Sequence, residues 1–205
     1  MSAWVGRSYL LSVPEDNWID PQGIGPEIGP HVPSFLMTVD AGTNDSVSLT
    51  ITSADVNGTQ EMCTATTTVA ATTGGPYPGV QIGPVDFPVH LKNQNDSTIQ
   101  VNAIIRGLTI TNVLPGAAPA EDGELVATMD MREIYPMFTL LSNPDANSVC
   151  NALESFEAPC EPCPDGQLYC LTITAILLGA TEAASAVTPV AAGTQPATCI
   201  GASDG

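Results

Sequence analysis

The stretch V-S-L-T-I-T, residues 47–52, decides the fold class. Val47, Leu49 and Ile51 alternate with Ser48, Thr50 and Thr52. A period of two sends successive side chains to opposite sides of a pleated strand, so this stretch has one apolar face and one polar face. Working outward, Phe35, Met37 and Val39 alternate in the same way, and A-G-T-N-D-S at 41–46 reads as the turn between the two strands. Downstream, Asn57-Gly58 is a hairpin signal, with a return strand expected from about Met62 onward.

The pattern continues toward both termini. Tyr9, Leu11 and Val13 share one face of a strand over 8–13, which Pro14 ends. Val85, Phe87, Val89 and Leu91 alternate with Asp86, Pro88, His90 and Lys92. Proline has no N–H to give to a ladder, so Pro88 predicts an edge or a bulge. Ile99, Val101, Ala103 and Ile105 share a face, and beyond Gly107 the parity flips to Leu108 and Ile110. A glycine at a parity switch marks a β-bulge. Leu125–Met129 is the next strand, and Leu171, Ile173, Ala175 and Leu177 line one side of the last, 168–178.

Helical spacing appears only before that last strand. Asp130 with Glu133 resembles a capping box, and Met131, Ile134 and Phe138 fit one helical face until Pro136 ends or kinks it. Val149, Leu153 and Phe156 recur at helical spacing over 148–157. About eight strands joined mostly by short turns predict a mainly all-β fold. The expected architecture is an antiparallel up-and-down β-barrel of lipocalin type, with one or two short helices before the last strand. A β-sandwich is the alternative. A single domain is expected over 1–178, followed by an Ala-, Thr- and Pro-rich tail over 179–205.

Residues 14–33 break the pattern, because five prolines and three glycines oppose regular helix or a central strand. The segment still carries Trp18, Ile19, Ile24, Ile28 and Val32, so it is expected to pack as a cover over one end of the core, or as a lid over a ligand. Trp18, Ile24 and Ile28, with Arg132, are the candidate ligand-binding residues.

Six cysteines occur, at 63, 150, 160, 163, 170 and 199. The central four suggest either a disulfide framework or a zinc site. Only one C-x-x-C pair is present, Cys160 with Cys163, and no histidine lies among the four, so disulfides are the expected state. The central four are expected to pair among themselves, and Cys63 with Cys199, tying the tail back to the body. Disulfides place the chain in an oxidising compartment, secreted or periplasmic.

Net charge is −18 because Lys and Arg number only four, against 22 Asp and Glu. Four scattered cations build no phosphate-binding stripe, which argues against nucleic acid and against anionic membrane surfaces. Neutral or cationic partners are favoured. No apolar run reaches the length of a membrane-spanning helix, and the start Met1-Ser2-Ala3-Trp4-Val5 has no signal-peptide core, as expected after signal removal.

Three stretches carry a resemblance: G-R-S-Y-L-L-S-V-P-E-D-N-W-I-D-P at 6–21, D-G-E-L-V-A-T-M-D-M-R-E-I at 122–134, and C-P-D-G-Q-L-Y-C-L at 163–171. Together they resemble uncharacterised secreted or lipoprotein-type envelope proteins of myxobacteria-like bacteria, over about residues 6–178. The resemblance implies export from a Gram-negative cell and a Cys-bridged β domain, and it brings no activity with it. No lipobox cysteine stands at the start, so the residues give no support to a lipid anchor.

Catalytic patterns are missing. A Walker loop, H-E-x-x-H and a dinucleotide fingerprint do not occur. His31 and His90 are the only histidines and read as surface residues. Glu15, Asp16, Asp20, Glu121, Asp122, Glu124, Asp130 and Glu133 are the acids a glycosidase pair would draw on, but all fall in loops or caps, where acids are ordinary. D-V-N-G-T-Q-E at 55–61 resembles part of a calcium loop without its spacing. Asn44, Asn57 and Asn95 open glycosylation sequons that turn chemistry also explains. No cofactor and no metal are expected. The function expected is therefore non-enzymatic: an exported barrel binding a small apolar or amphipathic ligand, or else a structural or interaction module of the cell envelope or an extracellular assembly.

Overall fold

A computed structural model describes residues 4–13, 18–21, 32–43, 45–55, 57–73, 79–93, 96, 98–113, 123–139, 141–177, 180–196 and 199, with the backbone alone at 18–20 and 177. The alternating stretches become strands: β1 (Ser8–Leu11), β2 (Trp18–Asp20), β3 (Ser34–Gly42), β4 (Ser46–Ala54), β5 (Thr67–Thr73), β6 (Val80–Lys92), β7 (Gln100–Val113), β8 (Gly123–Asp130), β9 (Glu161–Pro162), β10 (Leu168–Leu177) and β11 (Ala180–Ala183). All belong to one antiparallel sheet, in the order β11-β1-β3-β4-β5-β6-β7-β8-β10-β2, with β9 on β10 outside that path. The mainly-β class is observed.

One face of this sheet holds the core. Tyr9, Phe35, Met37, Leu49, Ile51, Ile82, Phe87, Val89, Leu108, Leu125 and Ile173 all join a single buried cluster, so every long strand sends its apolar set the same way. The rings of Phe35 and Phe87 meet edge-on at 5.4 Å, a favoured aromatic geometry.

The parity switch in β7 is a bulge. Gly107 has φ +59°, and the register against β8 slips between Arg106 and Thr109. Gly83 in β6 is needed for a different reason: a Cβ there would sit 2.0 Å from the Leu108 carbonyl oxygen, at φ +89°. Pro88 is accommodated because β5 pairs with β6 only between Ala71–Thr73 and Val80–Ile82. Beyond that point β7 is the one ladder partner of β6 among the described residues, and a missing donor costs no sheet bond.

Several boundaries differ from expectation. The return strand starts at Thr67, not near Met62. The Asn57-Gly58 turn closes on one bridge, Ala54 to Gln60, and the chain then runs to Cys63, which is bonded to Cys199. Trp18–Asp20 is a strand inside the segment expected to be irregular; those three residues contain neither Pro nor Gly. Helix α1 is one turn, Met131–Ile134, continued by a 3₁₀ turn over Tyr135–Met137 that takes Pro136 in its first positions. Asp130 caps α1 by accepting the Arg132 N–H, but Glu133 does not complete a capping box. Helix α2, Ala146–Glu154, carries the full box, through Asp145 and Ser148. It ends before Phe156, which is 45% exposed rather than on a buried helical face, because Glu157 turns the chain at φ +60°.

The segment after 179 contributes β11, which pairs with β1. Residues 184–196 then cross the outer side of β3, β4 and the start of β5. Val187 N–H donates to Thr38 Oγ1 at 2.8 Å, Thr188 exchanges hydrogen bonds with the Gln60 amide, and Thr66 N–H donates to the Val190 carbonyl. Beneath this strap, Leu36, Ala54 and Val187 form a second, small buried cluster.

Candidate functional site

The sequence candidates lead to the end of the sheet where β8 stops and α1 begins. There β7 loses its partner, since the β7–β8 ladder reaches only the Arg106–Thr128 pair on that side. Glu133 takes over the missing strand's place. Its Oε2 accepts the Ile104 N–H at 2.7 Å, and its other oxygen pairs with the Arg106 guanidinium. Arg106 also donates to the Ile104 carbonyl at 3.3 Å. The hydrogen bond that Arg106 donates to Glu133 raises the Arg106 pKa, an effect only partly offset by desolvation.

Arg132 lies on the other side of the same turn. Its Nε and Nη2 donate to the two oxygens of Asp130 at 2.9 and 2.6 Å, and Nη1 donates to Asp165 at 2.6 Å. The guanidinium also sits 5.3 Å from the centre of the Tyr169 ring. All three nitrogens are engaged, so Arg132 clamps α1 to the turn that the Cys163–Cys170 disulfide closes. Burial alone would push the Asp130 carboxyl up, but the hydrogen bonds from the Arg132 side chain and backbone N–H outweigh it and hold the pKa below the ordinary carboxylate value.

Of the other ligand candidates, Trp18 pairs through its backbone with Ala175, and Ile24 and Ile28 lie outside the described residues. Next to α1 is a small cleft lined by Val89, Leu91, Met129, Ile134 and Met137, with the exposed Ile104 beside them. Its volume is about 20 Å³, room for about one water molecule.

The six cysteines form three bonds: Cys63–Cys199, Cys150–Cys160 and Cys163–Cys170. Asp130 lies beside Cys163 and Cys170, but sulfurs joined to each other offer no thiolate to a metal. Among the acids, Glu15, Asp16, Glu121 and Asp122 lie outside the described residues and Glu124 is exposed, while Asp130 and Glu133 are each tied to an arginine. In the 55–61 loop, Asp55 accepts the Asn57 and Thr59 N–H groups and closes a turn, and Glu61 pairs with Lys92. Asn57 is exposed in that turn, while Asn44, Asn95 and His31 lie outside the described residues.

His90 is a correction. Read as a surface residue from its parity, it is only 4% exposed, with Nδ1 at 2.7 Å from Asn102 Oδ1 and Nε2 at 3.0 Å from Gln100 Oε1. Both amides come from β7 residues opposite its own strand end. Period-two reading gives a side chain's face and is blind to what covers that face. The role of Glu133 was missed for a related reason, since D-x-x-E looks like a cap whether or not a strand edge waits nearby.

Comparisons with protein families, with curated proteins and with solved structures find no match to this chain.

Proposed function

We propose that the chain is an exported, non-enzymatic, eight-stranded up-and-down barrel with a filled interior, acting as a structural or interaction module of the cell envelope or an extracellular assembly. Closure of the barrel is supported by the register at the two ends of the sheet. Along the first run of chain from Ser8 through β2 to Asp20, the partners run backward along the last from Ala183 through β10 to Thr174. The first and last strands then form the seam of a ring whose other members are β3 to β8. Export is supported by three disulfides, which persist in oxidising surroundings.

The observation that carries the functional reading is the packing of the interior. Inward side chains of all the long strands form one cluster, and the cleft beside α1 holds about 20 Å³, against roughly 300 Å³ and more in small-molecule sites. The charge pattern adds the sign of the partner. All four basic side chains are paired internally, Arg7 with Glu182, Lys92 with Glu61, Arg106 with Glu133, and Arg132 with Asp130 and Asp165. Among the described residues no Lys or Arg is left unpaired, and a neutral or basic partner suits such a surface. A second reading, a small apolar ligand, is favoured by the wholly apolar lining of the cleft. Thermal unfolding with straight-chain alcohols of increasing length separates the two. The module reading expects shifts below about 1 °C, whereas a saturable rise of several degrees would establish the ligand reading instead.

A further inference from the structure

We infer that residues 184–196 form a strap latched by the Cys63–Cys199 disulfide, and that reducing this one bond releases the strap from the outer face of β3 and β4 while the sheet stays folded. The grip of the strap is thin. Two of its side chains, Val187 and Val190, are buried, at 8% and 5% exposure, and residues 191–194 are exposed. Its hydrogen bonds go largely to side chains. Val187 N–H uses Thr38 Oγ1, Thr188 N–H uses Gln60 Oε1, and Val190 N–H uses Thr66 Oγ1. Among the described residues, only the bond from Thr66 N–H to the Val190 carbonyl joins the strap's backbone to the backbone of the body, and the strap belongs to no ladder. Thr38, Gln60 and Thr66 are half-buried, so water can take over these bonds once the strap lifts.

The face beneath is also incompletely satisfied. Thr52 is fully buried, and its hydroxyl has no hydrogen-bond partner. Lifting the strap returns water to that hydroxyl and uncovers Leu36 and Ala54. A reductant reaches the latch from one side, since Cys63 is half-buried while Cys199 is 6% exposed; the half-buried Cys150–Cys160 bond closes a separate loop and holds no part of the strap. A dithiol reductant completes the step. One of its thiolates attacks the Cys63–Cys199 bond to give a mixed disulfide, and its second thiol then displaces the protein sulfur. Two electrons and two protons pass to the cysteines, which become thiols, and the reductant becomes a disulfide.

The test uses the full chain with Cys63→Ser and Cys199→Ser together, beside wild type titrated with dithiothreitol, and follows hydrogen exchange by mass spectrometry. The expected result in both is that the Val187, Thr188 and Val190 amides exchange at the rate of an unstructured peptide, at least tenfold faster than in oxidised wild type. The β6 and β7 amides stay protected, and the circular dichroism stays that of a sheet. Retained protection in the strap of the double variant overturns the inference. So does simultaneous loss of protection in strap and sheet, in the variant or at the same dithiothreitol concentration in wild type.

Discussion

Strands β3 and β4 are covered on both sides, and the two coverings differ in kind. On the inner side Phe35, Met37, Val39, Val47, Leu49 and Ile51 enter a cluster fed by the whole sheet. On the outer side Leu36 and Ala54 meet only Val187 of the strap, with Leu10 and Ala183 at the margin. The same two strands therefore belong to a cooperative core on one face and to a local contact on the other. Burial alone does not distinguish them, since Phe35 is 1% and Leu36 0% exposed. The number of elements that would have to move to expose each residue does.

Substitution in the inner face should have the largest effect. Phe35→Ala removes the edge-on contact with Phe87 and leaves a hole that several strands border, so stability should fall by about 4 kcal/mol, read from the denaturant midpoint. Leu36→Ala should cost less, about 2 kcal/mol, because the strap above it can settle into the space. The comparison breaks if the outer substitution proves as costly as the inner one. In that case the strap is part of the cooperative unit.

Acid should act through neither buried apolar cluster but through the cap at Asp130. Its folded pKa lies below the unfolded value of about 3.9, so its contribution is fully present above about pH 4 and is lost as pH falls through the lower folded value. Asp130→Asn keeps a side chain able to cap α1 but loses the charged bonds to Arg132. The variant should be less stable than wild type at pH 7, by less than Leu36→Ala, and the two pH–stability curves should converge at low pH. Curves that stay parallel down to about pH 2 would assign the acid response to other groups.

How much of this was legible in sequence follows the same division. The inner face could be read strand by strand, because alternation reports a face that every neighbour also buries. The bulge at Gly107 was legible too, since a parity switch has no other simple cause. The outer face was not. Leu36 sits at a polar-face position, and nothing local to it says that a segment about 150 residues away will cover it; Cys199 was the one signal that the end of the chain comes back. His90 and Glu133 hide from the sequence for the same reason. Each is defined by a partner on another element, Asn102 with Gln100 for the first and the Ile104 N–H with Arg106 for the second.

Thr52 sharpens the comparison with an effect of the opposite sign. Its neighbours on β4, Ile51 and Ser53, show the two ordinary solutions, since one is apolar and faces the core and the other shares a hydrogen bond with Thr64. Thr52 does neither, and a buried hydroxyl without a partner opposes folding. Thr52→Val exchanges the hydroxyl for a methyl of nearly the same shape and should stabilise the protein by about 1 kcal/mol. It should also tighten the strap, slowing exchange at Val187. The inner face offers no equivalent gain on β4, because its positions there are apolar or, like Ser53, already hydrogen-bonded. A stabilisation without slower strap exchange would place the benefit in the sheet itself and would weaken the case that the strap alone keeps water from this face.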